Sequence, residues 1–117
     1  MLDPETIKEL PSTLVDNFNT VRKIWTQAEL PDPYVYADFD EDANAHYIDA
    51  SWMRYDIVVH ICTSTWFVMD LSRSYIYREN DISWCEPLKY RIDSDPIKGK
   101  SVTDMSDRIR TLNTHTI

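Results

Sequence analysis

Leu14, Phe18, Val21 and Trp25 recur at spacings of four, three and four, which places them on one face of a helix. Asp3 is a suitable N-cap, with Pro4 in the first helical position, where its missing N–H costs nothing. Pro11 interrupts this first piece. Ser12 or Thr13 then caps a longer helix reaching about Ala28, and Ile7 and Leu10 extend its stripe if the two pieces are nearly coaxial. Pro31 and Pro33 close the helical region, because the residue before each proline is pushed towards extended backbone.

The pattern then changes to short runs rich in aromatic and β-branched residues, separated by polar turns. Tyr34–Phe39, His46–Trp52, Ile57–Cys62 and Trp66–Leu71 read as strands. In the third run Ile57, Val59 and Ile61 alternate with Val58, His60 and Cys62, giving one apolar and one mixed face. The short connections predict consecutive hairpins, hence an antiparallel meander. With Gly99 as the only glycine, the turns must draw on Asp, Asn and Ser. That single glycine also excludes glycine-rich phosphate loops and dinucleotide fingerprints. Tyr75–Tyr77, Ile82–Cys85 and Leu88–Ile92 allow further strands, which Pro87 and Pro96 would confine to edges or loops. In the tail, Ser101 and Asp104 form a weak capping box before a stripe of Val102, Met105, Ile109 and Leu112. The expectation is one α+β domain over residues 1–117: an antiparallel meander of four or more strands flanked by an N-terminal and a C-terminal helix.

Charge adds a feature that periodicity does not. The 117 residues carry 20 acids and 12 bases, net −8, which argues against a general phosphate-binding surface. Residues 1–61 hold 12 of the acids and 4 of the bases. Between positions 29 and 56, Glu29, Asp32, Asp38, Asp40, Glu41, Asp42, Asp49 and Asp56 face only Arg54. The same stretch contains Tyr34, Tyr36, Phe39, Tyr47, Trp52 and Tyr55, six of the fourteen aromatic residues. Solvated charge runs are usually poor in aromatics, whereas interfaces are rich in tyrosine and tryptophan. Two plainer readings compete: the acids keep a hairpin tip wet and block edge pairing, and the aromatics are core.

Residues 38–49 also place Asp38, Asp40, Asp42 and Asp49 at positions 1, 3, 5 and 12 of a calcium-loop numbering. Ala43 stands where such a loop needs glycine, Asp49 is shorter than the usual glutamate, and helical flanks are missing. A magnesium site built on Asp38, Asp40 and Asp49 would lack basic groups for a phosphate substrate, Arg54 excepted. His46, His60 and His115 have no metal-ligand spacing, and no nucleophile elbow is present. No catalytic residue, metal or cofactor is therefore expected. With no apolar run of about 20 residues and no signal-peptide pattern, the expected location is cytoplasmic, with Cys62 and Cys85 as reduced thiols.

These readings converge on a non-catalytic, protein-binding inhibitor. Its expected partner surface comprises Glu29, Asp32, Tyr36, Asp38, Asp40, Glu41, Asp42, Asp49 and Trp52, with Tyr36 and Trp52 as anchors. The expected partner is a basic protein, a nucleic-acid-binding enzyme or complex, with carboxylates standing in for phosphates; neither nucleic acid itself nor a membrane is expected to bind. Size and charge alone suit the small acidic inhibitors of such enzymes, including phage anti-CRISPR proteins. An immunity protein or antitoxin neutralising a basic toxin uses the same physics, and a calcium-binding module built on the 38–49 loop is the remaining alternative.

Overall fold

A computed structural model describes residues 2–96. The chain is α+β: two N-terminal helices, a five-stranded antiparallel sheet and a C-terminal helix. Helix α1 spans Pro4–Glu9, and the Asp3 side chain caps it by accepting from the Thr6 N–H at 2.8 Å. Helix α2 spans Ser12–Gln27. Its N-cap is Pro11, without a side-chain cap bond, so neither Ser12 nor Thr13 has the expected capping role. The predicted stripe is fully realised, since Leu14, Phe18, Val21 and Trp25 are all buried.

Strands β1 (Tyr34–Asp40), β2 (Ala45–Trp52), β3 (Ile57–Ile61), β4 (Trp66–Asp70) and β5 (Tyr75–Tyr77) pair in chain order, each antiparallel to the last. The first four match the expected runs to within a residue at each end. A short 3₁₀ turn, Met53–Tyr55, links β2 to β3. The scarcity of glycine is met as expected by Asn44, Asp56, Ser74 and Asn80, which all adopt positive φ, as does Glu29.

The region after β5 corrects the expectation of strands at 82–85 and 88–92. Residues Cys85–Asp93 form helix α3, with Leu88 and Ile92 buried along it and Trp84 buried at its N-cap. The spacing of four between these residues is the helical signal. Pro87, which suggested an edge strand, sits in the first turn, where backbone N–H groups have no intrahelical partner to lose. The amphipathic tail around 101–112 lies outside the described residues.

Helices α2 and α3 lie against one face of the sheet, whereas α1 buries none of its residues. Ile48, Ala50, Trp52, Ile57, Val59, Ile61, Trp66 and Val68 point into a core shared with α2 and α3. Trp52 is central to it, meeting Trp25 of α2 edge-on at 5.6 Å and Trp84 at 5.7 Å. Its indole N–H donates to the Pro31 carbonyl at 2.9 Å, which ties down the chain entering β1. At one end of this face Asp70 is buried and receives two hydrogen bonds from Arg91 of α3, at 2.8 and 3.2 Å. Arg91 also donates to the Tyr55 carbonyl at 2.8 Å, so one ionic cluster joins β4, the 3₁₀ turn and α3. Among the described residues no helix is long and apolar enough to cross a membrane.

Candidate functional site

The opposite face of the sheet has no helix over it among the described residues. Strand alternation and register place four rows of side chains there. Nearest the 3₁₀ turn, Tyr34, Ser51, Val58, Met69 and Ile76 pair in sequence across all five strands. The second row is Tyr36, Asp49, His60 and Phe67. Beyond it, Asp38 pairs with Tyr47, and Asp40 pairs with Ala45 beside the hairpin tip. The face therefore grades from apolar at one end to acidic at the other.

Its aromatic rings form a continuous chain across four strands. Tyr36 lies 6.3 Å from Tyr47, Tyr47 5.2 Å from His60, and His60 5.2 Å from Phe67, centroid to centroid. His60 Nδ1 is 2.6 Å from an Asp49 carboxylate oxygen, which fixes the imidazole within this row. The Tyr36 hydroxyl donates to Asp38 at 2.6 Å, and the Phe39 N–H donates to the same carboxylate at 2.8 Å. Those two bonds, the tyrosine's first, hold the Asp38 carboxyl below its usual range, and the same contact pushes the Tyr36 phenol up to about 12. Asp38 is thus kept ionised and Tyr36 kept protonated. Asp40 accepts from the Asp42 and Ala43 N–H groups at 3.0 and 3.2 Å, which shapes the tip around Glu41 and Asp42.

The structure divides the nine residues expected at a partner surface. Tyr36, Asp38, Asp40 and Asp49 share the open face, and Glu41 and Asp42 occupy the adjoining turn. None of the ion pairs among the described residues reaches Asp38, Asp40, Glu41 or Asp42. Glu29 and Asp32 are exposed but precede β1, whose seven residues put about 20 Å between them and the hairpin tip. Glu29 has a local role instead. It is the left-handed residue after α2, where its N–H bonds the Thr26 carbonyl and the Leu30 N–H bonds the Trp25 carbonyl, the Schellman arrangement. Trp52 is 0% exposed and belongs to the core, so it is withdrawn as an anchor. An isolated tryptophan at the end of an alternating run fits either face, and only the register decides which.

Sequence reading missed Tyr47, His60 and Phe67 as parts of this face. They come from three strands, and only pairing brings them together. The signal available was the mixed side of each alternating run.

Other features offer less. Residues 38–49 do not close around a common centre: Asp38 is engaged by Tyr36, Asp40 by the turn N–H groups and Asp49 by His60. Among the described residues no group of three or more His, Cys, Asp or Glu is placed to hold a metal ion. An open cleft of about 630 Å³ is lined by Arg73, Tyr77, Ser83, Glu86, Tyr90 and Arg91. Both arginines lie within 4 Å of the Asp70 carboxylate and Glu86 is on the same wall, so the cleft has no excess positive charge for an anion. Burial pushes the Cys85 thiol up to about 11, and burial, then the Asp49 charge, raises Cys62, so neither has the character of a nucleophile. Comparison of the chain with protein-family models, with curated proteins and with solved structures finds no match in any of the three.

Proposed function

We propose that this protein is a non-catalytic inhibitor whose β1–β2 hairpin and open sheet face bind a basic, nucleic-acid-binding surface of another protein. The observation that carries the reading is the set of exposed carboxylates at Asp38, Asp40, Glu41 and Asp42, without cationic partners among the described residues, beside the exposed ring of Tyr36. Unneutralised charge on a small protein is a source of self-repulsion within the fold, but it accelerates encounter with a surface of opposite sign. Tyrosines beside it supply area that can be desolvated on contact. A basic surface that receives phosphates presents the spaced cations such carboxylates would meet.

The test is capture of binding partners from a native lysate, using the protein and its Asp40→Lys/Glu41→Lys/Asp42→Lys variant in parallel. The wild-type chain is expected to retain a basic nucleic-acid-binding protein that elutes as salt rises and is displaced by added DNA. The variant should lose it with a nearly unchanged thermal midpoint, lowered only slightly by loss of the two exposed Asp40 turn bonds, and the association rate of the purified pair should fall about tenfold or more. Equal retention by both chains would rule the reading out. Retention that depends on charge but is indifferent to DNA would favour neutralisation of a basic toxin.

A further inference from the structure

We propose that the open edge of β1 binds a second copy of this chain, strand against strand and antiparallel about Ala37, so that two five-stranded sheets join into one. The outer strands of the sheet are β1 and β5. The bond from the Cys62 N–H to the Thr65 carbonyl sets the phase of the ladders, because bonded and non-bonded pairs alternate along antiparallel strands. Carried across the registered pairs, that alternation turns the backbone of Tyr34, Tyr36, Asp38 and Asp40 towards β2 and that of Val35, Ala37 and Phe39 outwards. The Phe39 N–H agrees, since it donates to the Asp38 carboxylate and not to β2. By the same alternation only Ile76 of the three β5 residues faces out, so β1 is the edge with room for a ladder.

Edge strands of monomeric proteins are commonly blunted by lysine, proline or a bulge. β1 has none of these, and its seven residues pair with β2 without interruption. Helix α2 packs over β2 and β3, so the helical layer does not overhang the edge. The strand is also complementary to itself in one register. With Ala37 opposite Ala37 of the copy, Tyr34 faces Asp40, Tyr36 faces Asp38 and Val35 faces Phe39, each twice by symmetry. Every β1 carboxylate then meets a tyrosine on the open face. On the other face Phe39, 41% exposed, gains an apolar neighbour. A slip of two residues one way sets Asp38 against Asp38, and the other way carries Phe39 and Asp40 past the end of the paired strand. A slip of one residue mismatches the bonding phase.

Bonds between the two Ala37 residues, and from each Val35 N–H to the Phe39 carbonyl of the other copy, need no rearrangement. A further pair forms when the Asp38 carboxylate releases the Phe39 N–H, with Tyr36 of the copy standing opposite as its new donor. A single strand pair is at the small end of protein interfaces, so the dimer depends on concentration. Two chains of net charge −8 also repel, and salt screens that repulsion. Dimerisation therefore strengthens as salt rises, the reverse of the partner binding proposed above.

Sedimentation equilibrium of the purified full chain should show monomer and dimer with a Kd on the order of 100 µM, tightening about threefold or more between about 0.05 and 0.5 M salt. Ala37→Pro removes an outward N–H on the symmetry axis and leaves the β2 ladder intact, so it should abolish the dimer. Register is read by disulfide formation between cysteine variants, with the wild-type chain, whose Cys62 and Cys85 are free, as the blank. Tyr36→Cys chains mixed with Asp38→Cys chains bring their thiols into a non-bonded pair with Cα atoms about 4.5 Å apart, within disulfide reach. Either variant alone holds its thiols on a diagonal of about 8 Å, beyond that reach. The mixture should therefore cross-link about tenfold faster than either variant by itself. Both positions are exposed, which keeps this arm independent of how β1 tolerates proline. A chain that stays monomeric at about 1 mM would overturn the proposal. So would an Ala37→Pro dimer as tight as wild type, or cross-linking by one variant alone as fast as by the mixture. No lysate enters these measurements, so failure of the edge dimer and failure of the partner surface are separable.

Discussion

The two faces of the sheet are built from the same five strands and differ only in which alternate residues they present. On one, Ile48, Ala50, Trp52, Ile57, Val59, Ile61, Trp66 and Val68 are buried beneath the helices. On the other, Tyr34, Tyr36, Tyr47, Val58, Phe67, Met69 and Ile76 share the surface with Asp38, Asp49 and His60. The contrast teaches that aromatic content does not by itself mark a core. The covered face excludes carboxylates except where an arginine is supplied, at Asp70. The open face accommodates them unneutralised or paired with histidine or tyrosine, an arrangement only a surface can carry.

The sharpest way to break this contrast is to exchange an aromatic on each side. Trp52→Ala removes the ring between Trp25 and Trp84 and orphans the Pro31 carbonyl, at an expected cost of about 4 kcal/mol. Tyr47→Ala should cost well under about half of that, because its ring touches Tyr36 and His60 on one side only. Denaturant unfolding of the two variants measures both. Comparable losses would mean that the open face is in fact a second core.

The next effect tests the one charge the covered face admits. Arg91→Ala leaves the Asp70 carboxylate buried with only Ser72 at 2.8 Å and the more distant Arg73, and should cost about 3 kcal/mol. Burial alone would raise the Asp70 pKa, but the Arg91 and Ser72 hydrogen bonds and the Arg91 charge outweigh it and lower it from 3.8. A depressed folded-state pKa contributes stability that is complete above the unfolded value and is lost as pH falls through the folded one. Wild-type stability should therefore decline below about pH 4, and Arg91→Ala should be closer to flat there, as urea midpoints between pH 2 and 6 would report.

Much of this architecture was legible in the chain. Helix α2 and the first four strands follow from apolar spacing alone, because each buries one side against a single core. Helix α3 was not, since Pro87 argues against regular structure unless its place in the first turn is known, and Trp84, Leu88 and Ile92 supply only two repeats. The hairpin carboxylates were visible as a charge run. The ring chain Tyr36–Tyr47–His60–Phe67 was not, because it depends on register between strands, and neither was the structural use of Glu29, which depends on how a helix ends.

Glu29 gives a smaller effect in the opposite direction. A side chain held at φ 59 in the left-handed position after α2 is disfavoured relative to glycine by about 1 kcal/mol. Glu29→Gly should raise the thermal midpoint by about 4 °C. It should also leave partner capture unchanged, separating the acids that stand at the far end of β1 from those of the hairpin. Lost capture would return Glu29 to the binding surface.

The smallest effect isolates one hydrogen bond of the open face. Tyr36→Phe keeps the ring against Tyr47 and removes only the hydroxyl that donates to Asp38. Because that bond is the foremost cause of the lowered Asp38 pKa, with the Phe39 N–H second, the carboxyl should titrate higher in the variant while remaining below an unperturbed aspartate. Carboxyl carbon shifts followed by NMR between pH 2 and 6 would read it directly. Stability should scarcely move, since both groups are exposed. An unchanged Asp38 titration would mean that the tyrosine and carboxylate are neighbours without a bond, and the hairpin's charge would then be set by the turn backbone alone.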